Sequence, residues 1–229
     1  MRGLWTYDFS KGIVGSCSLM LDSSTLRVFD TGVSLTEGEL LIVDTLIVGP
    51  LNEPGNVGIA YSGVHGELNI NCCLVTNFVT GIRTSGTALI QEAVIRHCSD
   101  CGICAEKDTD PYMCEVNNCK INRCKYGVYT KGMFVAVVDS IIRYSTIGVY
   151  ADVTFSTRVE TTVLYACDTI INCFDSQVMK VLGCCLYDCR TVFDINTLDC
   201  FSVCGCRILY FRRIAFLMTG FVVCAKRDS

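Results

Sequence analysis

Three thiols stand in the series Cys98-x-x-Cys101-x-x-Cys104, with Cys114, Cys119 and Cys124 downstream. Thiolates at such spacings ligate zinc or an iron–sulfur cluster. A second group comprises Cys184, Cys185, Cys189, Cys200, Cys204 and Cys206. The chain has 18 cysteines in 229 residues, which in a secreted protein would suggest a disulfide framework and in a reducing compartment buried thiols or metal ligands. Residues 1–10 carry a charge at Arg2 but no continuous apolar stretch and no small-residue cleavage site after it, so no secretory signal is expected. The thiols are therefore read as free.

Other chemistries have less to work with. His65 and His97 are the only imidazoles, and neither stands near a nucleophile motif. Carboxylates are better supplied. Glu106, Asp108, Asp110 and Glu115 cluster in one stretch, and Asp168, Asp175, Asp188, Asp194 and Asp199 follow later. Glycoside hydrolysis needs two such groups roughly 5 to 9 Å apart. The bland reading is that acids on turns keep a stacked protein soluble, and no aromatic residues that would stack on a sugar stand out beside them. No G-x-x-x-x-G-K-[ST] phosphate loop occurs. The formal charge of −4 argues against a nucleic-acid surface, because the basic cluster Arg207, Arg212 and Arg213 is small. Hydrophobic residues make up 51% of the chain, yet runs such as 40–48 and 214–218 break long before the 18 to 20 residues a membrane helix needs.

These residues must be positioned by a repeat. Gly58-Ile59, Gly81-Ile82, Gly102-Ile103, Gly127-Val128 and Gly148-Val149 share a glycine followed by a β-branched residue, at spacings of 23, 21, 25 and 21. Thr169-Ile170 and Thr191-Val192 extend the series, and Gly32-Val33 can begin it. A segment such as 133–144 is β-branched and aromatic with short alternation, so each unit is made of strands. Only three prolines occur, so nearly every residue can donate to a neighbouring coil. The expectation is all-β: a right-handed parallel β-helix of about eight coils with 21–25 residues each, on the order of 40 Å long at about 4.8 Å per coil. It forms one domain over 1–229, with 1–30 as an amino-terminal cap, 31–206 as repeating coils and 207–229 as a last coil and cap.

Register follows from equivalent positions. Ile59, Ile82, Ile103, Val128, Val149, Ile170 and Val192 form an apolar column expected to point inward. Three places further on, Glu106, Lys131 and Asp152 form an outward stack of alternating charge, which avoids like-charge repulsion. Cys98, Cys101, Cys124, Cys167 and Cys189 fall just before the repeat start, where a small polarizable side chain suits an inner corner. That placement favours packing over ligation, so no metal, cofactor or catalytic group is expected. The four extra residues between Gly102 and Gly127 are assigned to a protruding turn at 106–111. Tyr126, Tyr129, Tyr144, Tyr150, Tyr165 and Tyr187 recur with the coils as core or lateral-face residues; a lateral apolar face would contact another subunit.

The stretch Asn122-Arg-Cys-Lys-Tyr-Gly-Val-Tyr-Thr-Lys-Gly132, preceded by Cys114-Glu-Val-Asn-Asn-Cys119, resembles the adenoviral β-helical family. That family includes the large early-region protein of mammalian adenoviruses and a minor capsid protein of the atadenovirus group. Similar phrases recur at 98–106 and 80–86, and the likeness covers roughly 70–155. It implies a non-enzymatic homotrimer on the outer capsid, cementing capsomers through contacts with other capsid proteins, with the host nucleus as its place of assembly. The chain is shorter than the family's members and lacks their extended polar amino-terminal region. Two other readings compete: a carbohydrate-active β-helix, which needs carboxylates or a carboxylate and a base converging in an open lateral groove, and a nuclear adaptor. The capsid reading needs an apolar lateral face instead.

Overall fold

The computed structural model describes residues 1–50, 54–63, 65–107, 112–196 and 198–213, apart from the side chains of 5–9 and 212–213. Among the described residues there is no helix, so none is long and apolar enough to cross a membrane. Every strand pairing among the described residues is parallel. One sheet stacks nine strands in chain order: Leu19–Asp22, Leu40–Val43, Glu67–Asn71, Thr87–Gln91, Met113–Asn117, Phe134–Val138, Ser156–Glu160, Ser176–Leu182 and Leu198–Cys204. The second sheet holds 13 strands, from Trp5–Gly15 to Arg207–Arg213. In several coils its strand is broken in two, as in Ile141–Arg143 and Ile147–Asp152. Among the described residues nine coils are therefore present where the glycine series suggested about eight. The difference lies in residues 1–30, expected to be a cap, which carry strands that pair with Thr25–Leu35 and Leu40–Val43 as part of the stack. At the other end Arg207–Arg213 pairs with Cys185–Ile195, and the remainder of the expected cap lies outside the described residues.

Each coil turns into the second sheet through one residue in the left-handed region: Ser23, Asp44, Cys72, Glu92, Asn118, Asp139, Thr161, Gly183 and Gly205. Most L-residues avoid this conformation, and it reverses the chain within a single residue. A small residue follows it every time: Ser24, Thr45, Cys73, Ala93, Cys119, Ser140, Thr162, Cys184 and Cys206. Apart from Ala93, these side chains donate to the carbonyl two residues back, as Ser140 Oγ does to Val138 O at 2.8 Å and Thr162 Oγ1 to Glu160 O at 2.8 Å. The backbone N–H of Cys119 donates to Ser140 Oγ at 3.1 Å, and that of Ser140 to Thr162 Oγ1 at 3.3 Å. The corner thus satisfies its own buried polar groups and links successive coils.

Inside, columns of Ile, Val and Leu are fully buried, each side chain lying on its counterpart in the next coil. Ile42, Ile70, Ile90, Val116, Val137, Val159 and Val181 run up the first sheet at no more than 1% exposure. Burying one such side chain contributes roughly 1.5–3 kcal/mol. The glycines of the repeat have a steric cause. A Cβ on Gly127 would stand 2.5 Å from the carbonyl oxygen of Gly148 and 2.6 Å from the Ile142 side chain, and Gly81 and Gly102 are equally confined.

Candidate functional site

The expected inner column runs from Ile59 through Ile82, Ile103 and Val128 to Val149 in unbroken register. Above Val149 the residues differ from the expectation. Val149 pairs with Ile171 and Ile171 with Phe193, so Ile170 and Val192 belong to a different column. Ile170 follows Gly148 in the glycine column, where the close approach of backbone ends and a side chain fits; both Ile170 and Val192 are buried there. The one-residue slip arises because Thr169 and Thr191 are equivalent to Ile147, not to Gly148.

The thiols separate in a similar way. Cys98 pairs with Cys124, and the column continues through Ser145 to Cys167 and Cys189, each buried next to a left-handed residue. Cys101 is not in it. Its neighbours are Thr80 and Tyr126, and with Cys104 it is buried on the outer side of the strand, apart from the core cluster. Among the described residues no three Cys, His, Asp or Glu side chains converge to hold a metal ion.

Two outward faces carry chemistry. On the first, Glu106 pairs with Lys131 and Lys131 with Asp152. Beside them rises a row of Ala60, Arg83, Cys104, Tyr129, Tyr150, Asn172 and Asp194. Arg83 Nε lies 3.9 Å from Glu106 Oε1, and Tyr129 donates its hydroxyl to Asp152 Oδ2 at 3.5 Å. Tyr129 and Tyr150 stack at 5.4 Å between centroids, and Tyr126 tilts against both at 5.8 and 5.4 Å. Burial raises the Tyr129 phenol well above its ordinary value, helped by the negative charges of Asp152 and Glu106. An open hollow of about 570 Å³ adjoins, walled by Tyr61, Arg83, Ser85, Glu106, Lys107 and Lys131. A second, of about 420 Å³, is lined by Tyr150, Asn172, Phe174, Asp194 and Asn196. Aromatic rings therefore do stand beside the carboxylates, contrary to the sequence reading. Tyr126 and Tyr129 sit in one coil and Tyr150 in the next, so their contact is visible only once the coils are in register.

Glu106 and Asp152 are two coils apart, about 9.6 Å at 4.8 Å per coil, with Lys131 between them. Asp194 stands further along the adjoining row, and the remaining acids do not join this group. Glu115 lies in the other sheet, Asp168 and Asp188 adjoin a different corner hollow, Asp175 occupies a left-handed turn, and Asp199 is exposed in the first sheet. Asp108, Asp110 and the turn at 108–111 lie outside the described residues. His97 is largely exposed with its ring against Arg123 Nη1 at 3.2 Å, and partial desolvation, followed by the positive charges of Arg123 and Arg96, lowers its pKa. His65 is exposed.

The second face is apolar. Leu46, Leu74, Val94, Lys120, Ile141, Val163 and Cys185 stand in register as the first residue of the strand after the corner in successive coils. All but Lys120 are partly covered by their neighbours above and below. Arg143, Tyr165 and Tyr187 flank this strip, with the Tyr165 and Tyr187 rings stacked 4.9 Å apart.

Parallel strands stacked coil on coil around one continuous core, with function left to the lateral faces, define a parallel β-helix. The family model of the right-handed β-helix region matches residues 80–208, more than half of the chain. The chain belongs to that family. No curated protein and no solved structure matches it.

Proposed function

We propose that the chain is a non-enzymatic structural rod that associates side by side with copies of itself. The observation that carries this reading is the outward column Leu46, Leu74, Val94, Ile141 and Val163, interrupted only by Lys120, which follows the axis for most of the stack. Apolar area removed from water between two rods gains about 25 cal/mol per Å², and identical strips on identical rods favour a closed, symmetric assembly. The likeness of residues 70–155 to the adenoviral β-helical family supports the finer reading: a homotrimer on the outer capsid, acting as cement with other capsid proteins, assembled in the host nucleus.

Light scattering at dilute concentration under reducing conditions tests the association. The expected mass is three times that of one chain, and Ile141→Asp with Val163→Asp returns it to one while leaving the β-sheet circular dichroism intact. A monomeric parent protein overturns the proposal. A second reading, a carbohydrate-active β-helix, is favoured by the tyrosines 126, 129 and 150 beside Arg83, Glu106, Lys131 and Asp152. Cleavage of any member of a panel of acidic polysaccharides would establish it in place of the first.

A further inference from the structure

The corner column ends in two thiols. Cys185 pairs with Arg207, and the Arg207 N–H donates to the Cys184 carbonyl at 2.8 Å, so Cys184 and Cys206 occupy equivalent corners of adjacent coils. Their sulfurs are turned into that corner. Cys184 Sγ lies 3.3 Å from Leu182 O and 3.5 Å from Val159 O, and Cys206 Sγ lies 3.4 Å from both Cys204 O and Val181 O. In-register parallel neighbours are about 4.8 Å apart at Cα, within the roughly 4.4–6.8 Å span that a disulfide bridges.

We propose that Cys184 and Cys206 form a reversible disulfide on exposure to a peroxide, stapling the strand Arg207–Arg213 to the coil beneath it. Exposure selects this pair. Cys98 and Cys124 are also register neighbours, but they are 1% and 5% exposed, whereas Cys206 is only half-buried. The two neighbouring thiols act on each other: Cys184 holds the Cys206 thiol below its ordinary pKa, and its own is raised by Cys206 and by burial. Cys206 is then the attacking thiolate.

The chemistry balances in two steps. The Cys206 thiolate attacks one peroxide oxygen, the O–O bond breaks, and a sulfenic acid forms as hydroxide leaves and takes up a proton. Cys184 then attacks the sulfenic sulfur; the S–S bond forms, the S–O bond breaks, and water leaves with the thiol proton. Two thiols lose two electrons in total, and hydrogen peroxide is reduced to two waters. A thiol reductant restores the starting state.

The test is to treat the native full-length chain with hydrogen peroxide, block remaining thiols by alkylation, and map linked peptides by mass spectrometry without reduction. The expected product links Cys184 to Cys206, with Cys98 and Cys124 still alkylatable after unfolding. Amide hydrogen exchange across 207–213 should slow at least tenfold and recover with dithiothreitol. Cys184→Ser should remove the link and leave Cys206 to over-oxidise to sulfinic acid; Cys206→Ser should leave Cys184 reduced. A link from Cys206 to any other cysteine, or full alkylation of Cys184 after treatment, overturns the proposal.

Discussion

Tyr165 lies flat against Tyr187 of the next coil, 4.9 Å between centroids and 3° between planes, and its hydroxyl accepts a 2.7 Å hydrogen bond from Arg143 of the coil below. Three coils are thereby joined on the outside of the rod, independently of the core. The Arg143 guanidinium is also 5.6 Å from the Tyr144 ring. Aromatic pairs of this kind contribute about 0.5–1.5 kcal/mol beyond the area they bury. A double-mutant cycle of Tyr165→Ala and Tyr187→Ala, followed by urea denaturation, should give a coupling energy in that range. A coupling near zero would mean that the two rings do not stack in solution.

The glycines of the repeat should be unequal in their tolerance. Gly127→Ala places a methyl group 2.5 Å from a backbone oxygen that cannot swing away, and a loss of about 2–4 kcal/mol is expected. Gly183 has open space, with the Thr161 side chain as its nearest neighbour at 3.6 Å, and its φ is +61°. Gly183→Ala should cost only the left-handed conformation, roughly 1–2 kcal/mol. Denaturation midpoints of the two variants check the order.

Val128 is fully buried between Ile103 and Val149. Val128→Asp sets an unpaired carboxylate in that column, and loss of the cooperative melting transition is expected. An unchanged melting temperature would show that the side chain faces solvent.

Alkaline pH should loosen the tyrosine face. Burial, and then Asp152 and Glu106, raise the Tyr129 phenol in the folded state above its ordinary 10.0. A raised folded pKa gives stability that is fully present below the unfolded value and is lost as pH climbs from there through the folded value. Stability should therefore fall above about pH 10, and Tyr129→Phe should flatten that fall. Thermal melts across the alkaline range, with phenolate absorbance read in parallel, measure both.

Much of the architecture is legible in the chain because the glycine column has a steric cause: where a coil's backbone crowds the next, only glycine fits, and its spacing is the coil length. The reading slips at residue 169 for the same reason. Once Ile170 replaces glycine the mark is lost, and Thr169 stands one place away from it. The corner column escaped because Ser24, Thr45, Cys73, Ala93 and Cys119 share size and, for all but Ala93, a donor rather than a residue type. Their common sign is the preceding left-handed residue, and the Asn118-Cys119 and Asp139-Ser140 pairs are where it could have been found. The apolar strip hid because Leu46, Ile141 and Val163 lie in strands of three residues, too short for alternation to distinguish inside from outside, while Leu74 and Val94 are only the first residues of longer strands.

Every pairing in the stack joins residues about one coil apart in the chain. A coil needs only its predecessor as a template, so the molecule can grow like a coiled rope. At roughly 5–20 residues per second of synthesis, a coil of about 22 residues leaves the ribosome every one to four seconds, while loop closure and strand pairing take microseconds. Folding can therefore keep pace with translation. The advancing upper edge, with its unpaired strand and open apolar columns, is a template a second nascent chain could capture, so the interval between coils sets the time available for misassembly there.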